Sequence, residues 1–260
     1  MRKHTAQVPT SIEDMLKSVR CPVSTRDLEL ARACYAGEIT MVDFWFGRLM
    51  QRLESLSLLE DTAIIFTSDH GFYFGEHGYF GKLNLDWDTG TWGYSPLYDE
   101  ITRVPLLILM PGHQPRRVSS LVCQPDLMPT ILDLAGAPIP EGLYGQSLVP
   151  LLKGSRKRLH NVIISSHPLH ALGEVTRAVD GVVRRVRNLS PSTIFDGEWT
   201  LVYSSQGGHI ELYHTKLDPG QRRNLLRQHR SKATQLHAKY LGELEALGTP
   251  ERLLESRRSL

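Results

Sequence analysis

The chain has no apolar run near the roughly 18 residues that cross a bilayer, so no membrane-spanning helix is expected. Cysteine is scarce, with three residues (Cys21, Cys34 and Cys123) among 260. Three cannot make an even disulfide framework, and their spacing matches no metal-binding pattern. A reduced compartment follows, with a cytoplasmic location as the default. Surplus charge is missing too: 30 Lys and Arg against 28 Asp and Glu leave a net charge of +2. That balance gives no reason to expect nucleic acid or an acidic membrane surface as a partner. The basic clusters Arg156-Lys157-Arg158, Arg184-Arg185 and Arg222-Arg223 are short and read as solvated faces. The opening MRKHTAQVPTSIEDML has positive charge but no apolar centre, so it is not a secretory signal. What remains is a soluble globular composition, 41% hydrophobic and 22% charged, long enough to bury a sizeable core.

The pattern divides the chain into three parts. Residues 1–25 are polar and irregular, with Pro9 and Pro22 opposing a continuous element. Residues 26–160 read as the C-terminal part of an α/β catalytic domain. Leu30, Ala33, Cys34, Ile39, Val42, Phe46, Leu49 and Leu53 recur at helical spacing and predict a long helix over 26–57, packed on a sheet despite Gly37. Strands are expected at 62–67, 104–110 and 161–165, and a helix at 125–134 that stops at Gly136. The stretch 83–98, with Trp87 and Trp92, reads as a long loop able to wall a substrate site. Residues 161–250 are expected to complete the core and add a small antiparallel subdomain. Asp180-Gly181 and Gln206-Gly207-Gly208 mark two hairpins there, and 231–247 is an amphipathic helix.

The chemistry concentrates between Ala63 and Lys82. Ala63-Ile64-Ile65-Phe66 predicts a buried strand, and it stops at Thr67-Ser68-Asp69-His70-Gly71. In open α/β sheets, sites lie beyond the carboxyl ends of strands. Asp69 and His70 fall there, with His77 and Lys82 close behind. A carboxylate beside an imidazole can bind a divalent cation, and an ammonium nearby can hold an anion. Together they point to metal-assisted attack on an anionic ester.

Ser68-Asp69-His70-Gly71, Gly75-Glu76-His77-Gly78 and Lys82 resemble the sulfatases of the alkaline-phosphatase superfamily. The similarity continues through Tyr98-Asp99-Glu100, through Arg103 to Ile108, through Asp126 to Gly136 and through Gly145 to Leu152. It closes with Glu211-Leu212-Tyr213, Asp218-Pro219 and Asn224-Leu225, covering about 28–247. The resemblance implies an incomplete alkaline-phosphatase-like doubly wound sheet followed by a small antiparallel sheet with a helix. It implies hydrolysis of sulfate esters by the intact form, on a sulfated small molecule or glycan. Asp69 and His70 would be ligands of a divalent metal, calcium in the first instance. Lys82 would hold a sulfate oxygen, and His77 would contact substrate or orient Lys82. Because the second ligand is His70, the resemblance also admits phosphonate or phosphate ester hydrolases of the superfamily.

Two features of that family have no counterpart in these 260 residues. One is the pair of adjacent aspartates that completes the metal site. The other is Cys-x-Pro-x-Arg (or Ser for Cys), whose first residue is oxidised to the formylglycine nucleophile. Cys21-Pro22-Val23-Ser24-Thr25-Arg26 has its Pro one position early and its Arg one late, and Cys123-Gln124-Pro125-Asp126-Leu127 has Leu where Arg should stand. Formylglycine is therefore not encodable here, and both cysteines read as structural or incidental. The expectations are a half-site for metal, little or no esterase activity alone, and a complementary N-terminal polypeptide as partner. A non-catalytic remnant is the competing reading.

Overall fold

The protein is described by a computed structural model covering residues 24–82, 84–86, 91–93, 96–171, 175–177, 183–185, 191–204 and 210–260. Ser24 accepts the Asp27 N–H at 3.2 Å and caps helix α1, Thr25–Ser55, so the expected helix forms and Gly37 does not interrupt it. A short return leads into β1, Ile64–Thr67. β1 pairs antiparallel with β6, Leu106–Leu109, in the register Ile64 to Leu109 and Thr67 to Leu106. Between them lie the small pairs β2 (Tyr73–Phe74) with β3 (Phe80–Gly81) and β4 (Asn84–Asp86) with β5 (Thr91–Gly93), and the single-turn helix α2 (Asp99–Thr102). The stretch 83–98 is thus partly a strand pair rather than a plain loop, with Trp87 outside the described residues.

β1 is only half-buried, which corrects the expected buried strand. The reason lies in its surroundings: β1 pairs with β6 alone among the described strands. Alternation along β6 sends Leu106 and Ile108 into a core with Leu148, Leu151 and Leu159, and leaves Leu107 61% exposed on the opposite face. Helix α1 meets this layer through Phe46 on Phe66, at 5.0 Å between rings, and through Tyr35 on Phe74 at 4.8 Å. None of its residues is buried, however. Ile39, Val42, Trp45 and Leu49, spaced three or four apart, form a second apolar stripe that faces solvent.

The second half is a four-stranded antiparallel sheet in the order β12-β11-β10-β7: Ile210–Tyr213, Thr200–Tyr203, Ser192–Phe195 and Ile163–Ser166. The strand expected at 161–165 therefore forms, at the edge of this sheet. β11 is buried on both faces. Its Leu201 and Tyr203 pack with Leu236, Tyr240 and Leu244 of helix α5, Arg230–Ala246. Val202 points the other way, to Tyr73, Tyr98 and Ile101 beside the Asp-His-Gly loop. One strand thus joins the two halves. The hairpin expected at Asp180-Gly181 is seen as β8 (Val175–Arg177) paired with β9 (Val183–Arg185), and that at Gln206-Gly207-Gly208 as β11 with β12. Both turns lie outside the described residues.

The helix expected at 125–134 begins as a 3-10 turn, Gln124–Asp126, and continues as α3, Leu127–Leu134. Asp126 is wholly buried, and its carboxylate accepts the N–H groups of Cys123 and Gln146, both at 2.8 Å. The first bond caps the start of the helix, and the second ties the segment at Gln146 to it. Helix α4, Val149–Leu152, follows, and α6, Glu251–Leu254, packs beside α5.

Candidate anion and metal site

The loop after β1 is held from two sides. Gly71 lies so close to α2 that an added Cβ would stand 1.8 Å from the Glu100 carbonyl oxygen. Bare backbone there lets the Gly71 N–H donate to the Ile101 carbonyl at 2.9 Å. From the other side the Gln124 amide donates to the carbonyls of Ser68, at 3.0 Å, and Asp69. Gln124 escapes the sequence pattern because nothing in its neighbourhood marks a contact to residues 56 positions away. Arg32 of α1 braces the following turn through the Phe74 carbonyl at 2.7 Å and Glu76 at 3.2 Å.

His70 presents one defined nitrogen to the site. Its Nδ1 lies 2.8 Å from the Gly71 carbonyl oxygen, which can only accept, so Nδ1 carries the proton. Nε2 is left with its lone pair. Lys82 Nζ donates to it at 2.8 Å, and Asp69 Oδ2 stands 3.3 Å away. The other Asp69 oxygen accepts the His70 N–H at 2.9 Å and the Ser68 hydroxyl at 3.3 Å. The His70 N–H is the main reason the Asp69 carboxyl sits below the usual carboxylate range, and the Ser68 hydroxyl adds to it. The carboxylate is 82% exposed. Asp69, His70 and Lys82 are thus brought together, as the spacing suggested.

The structure does not bring His77 to them. Gly75, at φ +100°, and His77 itself, at φ +55°, turn the chain so that the His77 ring stacks on Tyr98, with centroids 3.7 Å apart. Its Nε2 stands 3.5 Å from Glu100 Oε2, and both atoms are buried with no hydrogen-bond partner among the described residues. His77 is a buttress between the loop and α2.

Asp69, His70 and Lys82 open onto a cleft of about 1150 Å³ between the β1/β6 layer and the four-stranded sheet. Arg103, Arg158 and Lys216 also line it, so cations outnumber the carboxylates Asp69, Asp99 and Asp196. Burial raises the Asp99 carboxyl above its ordinary range, against the pull of Arg103. Cys123 lies on the wall with its thiol pushed up to about 12 by burial and by Asp126, so it is held protonated and is a poor nucleophile.

The fit to a divalent ion can be judged from the donors. Neighbouring ligands of an octahedral ion with bonds of about 2.3 Å lie about 3.3 Å apart. Asp69 Oδ2 and His70 Nε2 stand at that separation. The Lys82 ammonium occupies the lone pair of Nε2, so it must move off before Nε2 can bind an ion, and that move frees its charge for an anion. The two residues fit a cation, but they supply only two of the six or more ligands that a calcium ion takes.

These elements define an α/β layer with a cation-lined cleft, and comparison with known proteins narrows the class. The family model "Sulfatase" matches residues 3–137, just over half of the chain. Arylsulfatase K of Xenopus laevis is 29% identical over 226 residues, covering 86% of this chain and 39% of the relative. An N-acetylglucosamine-6-O-sulfatase of Bacteroides thetaiotaomicron is 36% identical over 128 residues, 47% of this chain and 20% of the relative. A solved 2-O GAG sulfatase shares the fold with a TM-score of 0.71 at 23% identity, covering 93% of this chain and 48% of that one. The chain belongs to the sulfatase family of the alkaline-phosphatase superfamily. It spans 39% of the length of the Xenopus relative.

Proposed function

We propose that this chain supplies the metal-binding and sulfate-binding half of a sulfatase active site, with sulfated glycans as the substrate class. The observation that carries the reading is the convergence of Asp69, His70 and Lys82 at the mouth of a cation-lined cleft. Asp69 and His70 would hold the divalent ion, with His70 oriented by the Gly71 carbonyl. When bound, that ion polarises the ester oxygens. Lys82 holds a sulfate oxygen, where its compact charge offsets the negative charge that grows in the transition state. Arg103 and Arg158 raise the local concentration of the anion. The imidazole is a softer donor than the oxygens calcium prefers, so manganese should bind alongside the calcium first expected. Membership of the sulfatase family favours sulfate over phosphonate esters.

The exposed stripe on α1 and the bare face of β6 suit a complementary polypeptide that carries the nucleophile and the remaining metal ligands. Calorimetric titration of the purified chain tests the half-site. Manganese or calcium should bind in the high-micromolar to millimolar range, Asp69→Ala should abolish it, and aryl sulfate should remain uncleaved. No binding at millimolar metal would instead leave a non-catalytic remnant. Metal-dependent hydrolysis by the chain alone, lost in Asp69→Ala, would overturn the half-site reading.

A further inference from the structure

A second cluster of ligand-type side chains lies at the other end of the α3 entry turn. Cys123 Sγ, Asp126 and His160 Nε2 all lie within 4.8 Å of one another. His160 Nε2 stands 2.9 and 3.0 Å from the two Asp126 oxygens and 3.9 Å from Cys123 Sγ, and the thiol is 3.5 Å from Asp126 Oδ2.

The arrangement is not a nucleophile relay. In a relay the thiol and the carboxylate engage opposite nitrogens of the imidazole. Here both face the same nitrogen, so three donors converge on one point. Ideal bonds to tetrahedral zinc place a nitrogen and an oxygen ligand about 3.4 Å apart, and a sulfur about 3.6 Å from either. The observed separations need adjustments of only about half an ångström to reach these values. The donors are also held in place by groups that a metal would not displace. The backbone N–H groups of Cys123 and Gln146 fix the carboxylate, and the Tyr144 ring stacks over His160 at 5.9 Å and 18°.

We propose that Cys123, Asp126 and His160 form a binding site for zinc or a similar thiolate-preferring ion, separate from the Asp69–His70 pair. The thiolate disfavours calcium and magnesium, which take oxygen ligands, and three protein ligands leave a fourth position for water. The site joins the α3 entry turn to the segment leading into β7, so metal would staple the β1/β6 layer to the four-stranded sheet. Gln124, next to Cys123, carries that rigidity to the carbonyls of Ser68 and Asp69.

Coordination balances as the loss of one proton. The thiol releases its proton to solvent, while the His160 proton moves from Nε2 to Nδ1 and Nε2 binds the metal. Binding therefore releases one proton per metal ion, so apparent affinity should rise with pH.

Cobalt(II) titration of the full chain, followed by absorbance, provides the test. A thiolate-to-cobalt charge-transfer band should saturate at one equivalent and persist in Asp69→Ala and Cys34→Ser. It should vanish in Cys123→Ser and in His160→Asn, with far-UV circular dichroism unchanged. Zinc should displace cobalt and raise the melting temperature of the wild type but not of Cys123→Ser. Absence of the band at millimolar cobalt, or its survival in Cys123→Ser, overturns the proposal. Failure of the Asp69–His70 half-site would leave the band untouched, so the two readings fail separately.

Discussion

The side-chain amide of Gln124 holds the backbone carbonyl of Ser68 at 3.0 Å, and with it the residue that precedes the Asp-His pair. The metal-type donors thus depend on a residue from a different layer of the fold. Each such bond contributes about 0.5–1.5 kcal/mol net. Gln124→Ala should therefore leave the fold intact but weaken divalent-metal binding at Asp69 and His70 by about tenfold, as calorimetry would measure. It should also speed amide hydrogen exchange at residues 68–70. Unchanged metal affinity would mean that the loop is set by Gly71 alone.

Gly71 makes a stronger prediction. Its Cβ would fall 1.8 Å from a backbone oxygen of α2, which no rotation of a side chain can relieve. Gly71→Ala should destabilise the protein by at least ~3 kcal/mol in urea denaturation, beyond the usual range for one added methyl. Gly37→Ala is the control: nothing lies within 4 Å of that position, and alanine there should stabilise α1 slightly.

His237 predicts how stability depends on pH. It lies on the buried face of α5, and its Nε2–H donates to the Arg257 carbonyl at 2.8 Å. Burial lowers its pKa below the ordinary value of 6.5, and the Arg257 carbonyl only partly opposes this. In that window the unfolded chain binds more protons than the folded one, so stability increases with pH. The contribution is complete above pH 6.5 and is lost as pH falls through the lowered value. His237→Gln keeps a donor for Arg257 but cannot titrate. Chemical denaturation from pH 7.5 down to 5 should show a flatter profile for this variant than for the wild type.

Much of the fold could be read from local pattern. Helical spacing located α1 and α5, and turn residues located both hairpins, because these depend on residues near in sequence. The identity of the site was equally local: Asp69, His70 and Lys82 lie within one loop and carry the family resemblance. The half-burial of β1 was not legible, because an apolar strand looks the same whether one or both of its edges are covered. The role of His77 was hidden for a related reason. The positive φ at Gly75 and His77 accompanies the stacking of that ring on Tyr98, a contact made across 21 positions of the chain.

The sequence by itself determined the family, the secondary structure near each motif and the donors that face the cleft. Each of these rests on short-range spacing or on chain chemistry that folding does not alter. Tertiary structure alone decided which of those groups meet. Gln124 reached Ser68, Val202 joined the two halves, and Cys123, Asp126 and His160 converged on one point. Those contacts arise from packing one layer on another, and no interval along the chain encodes them.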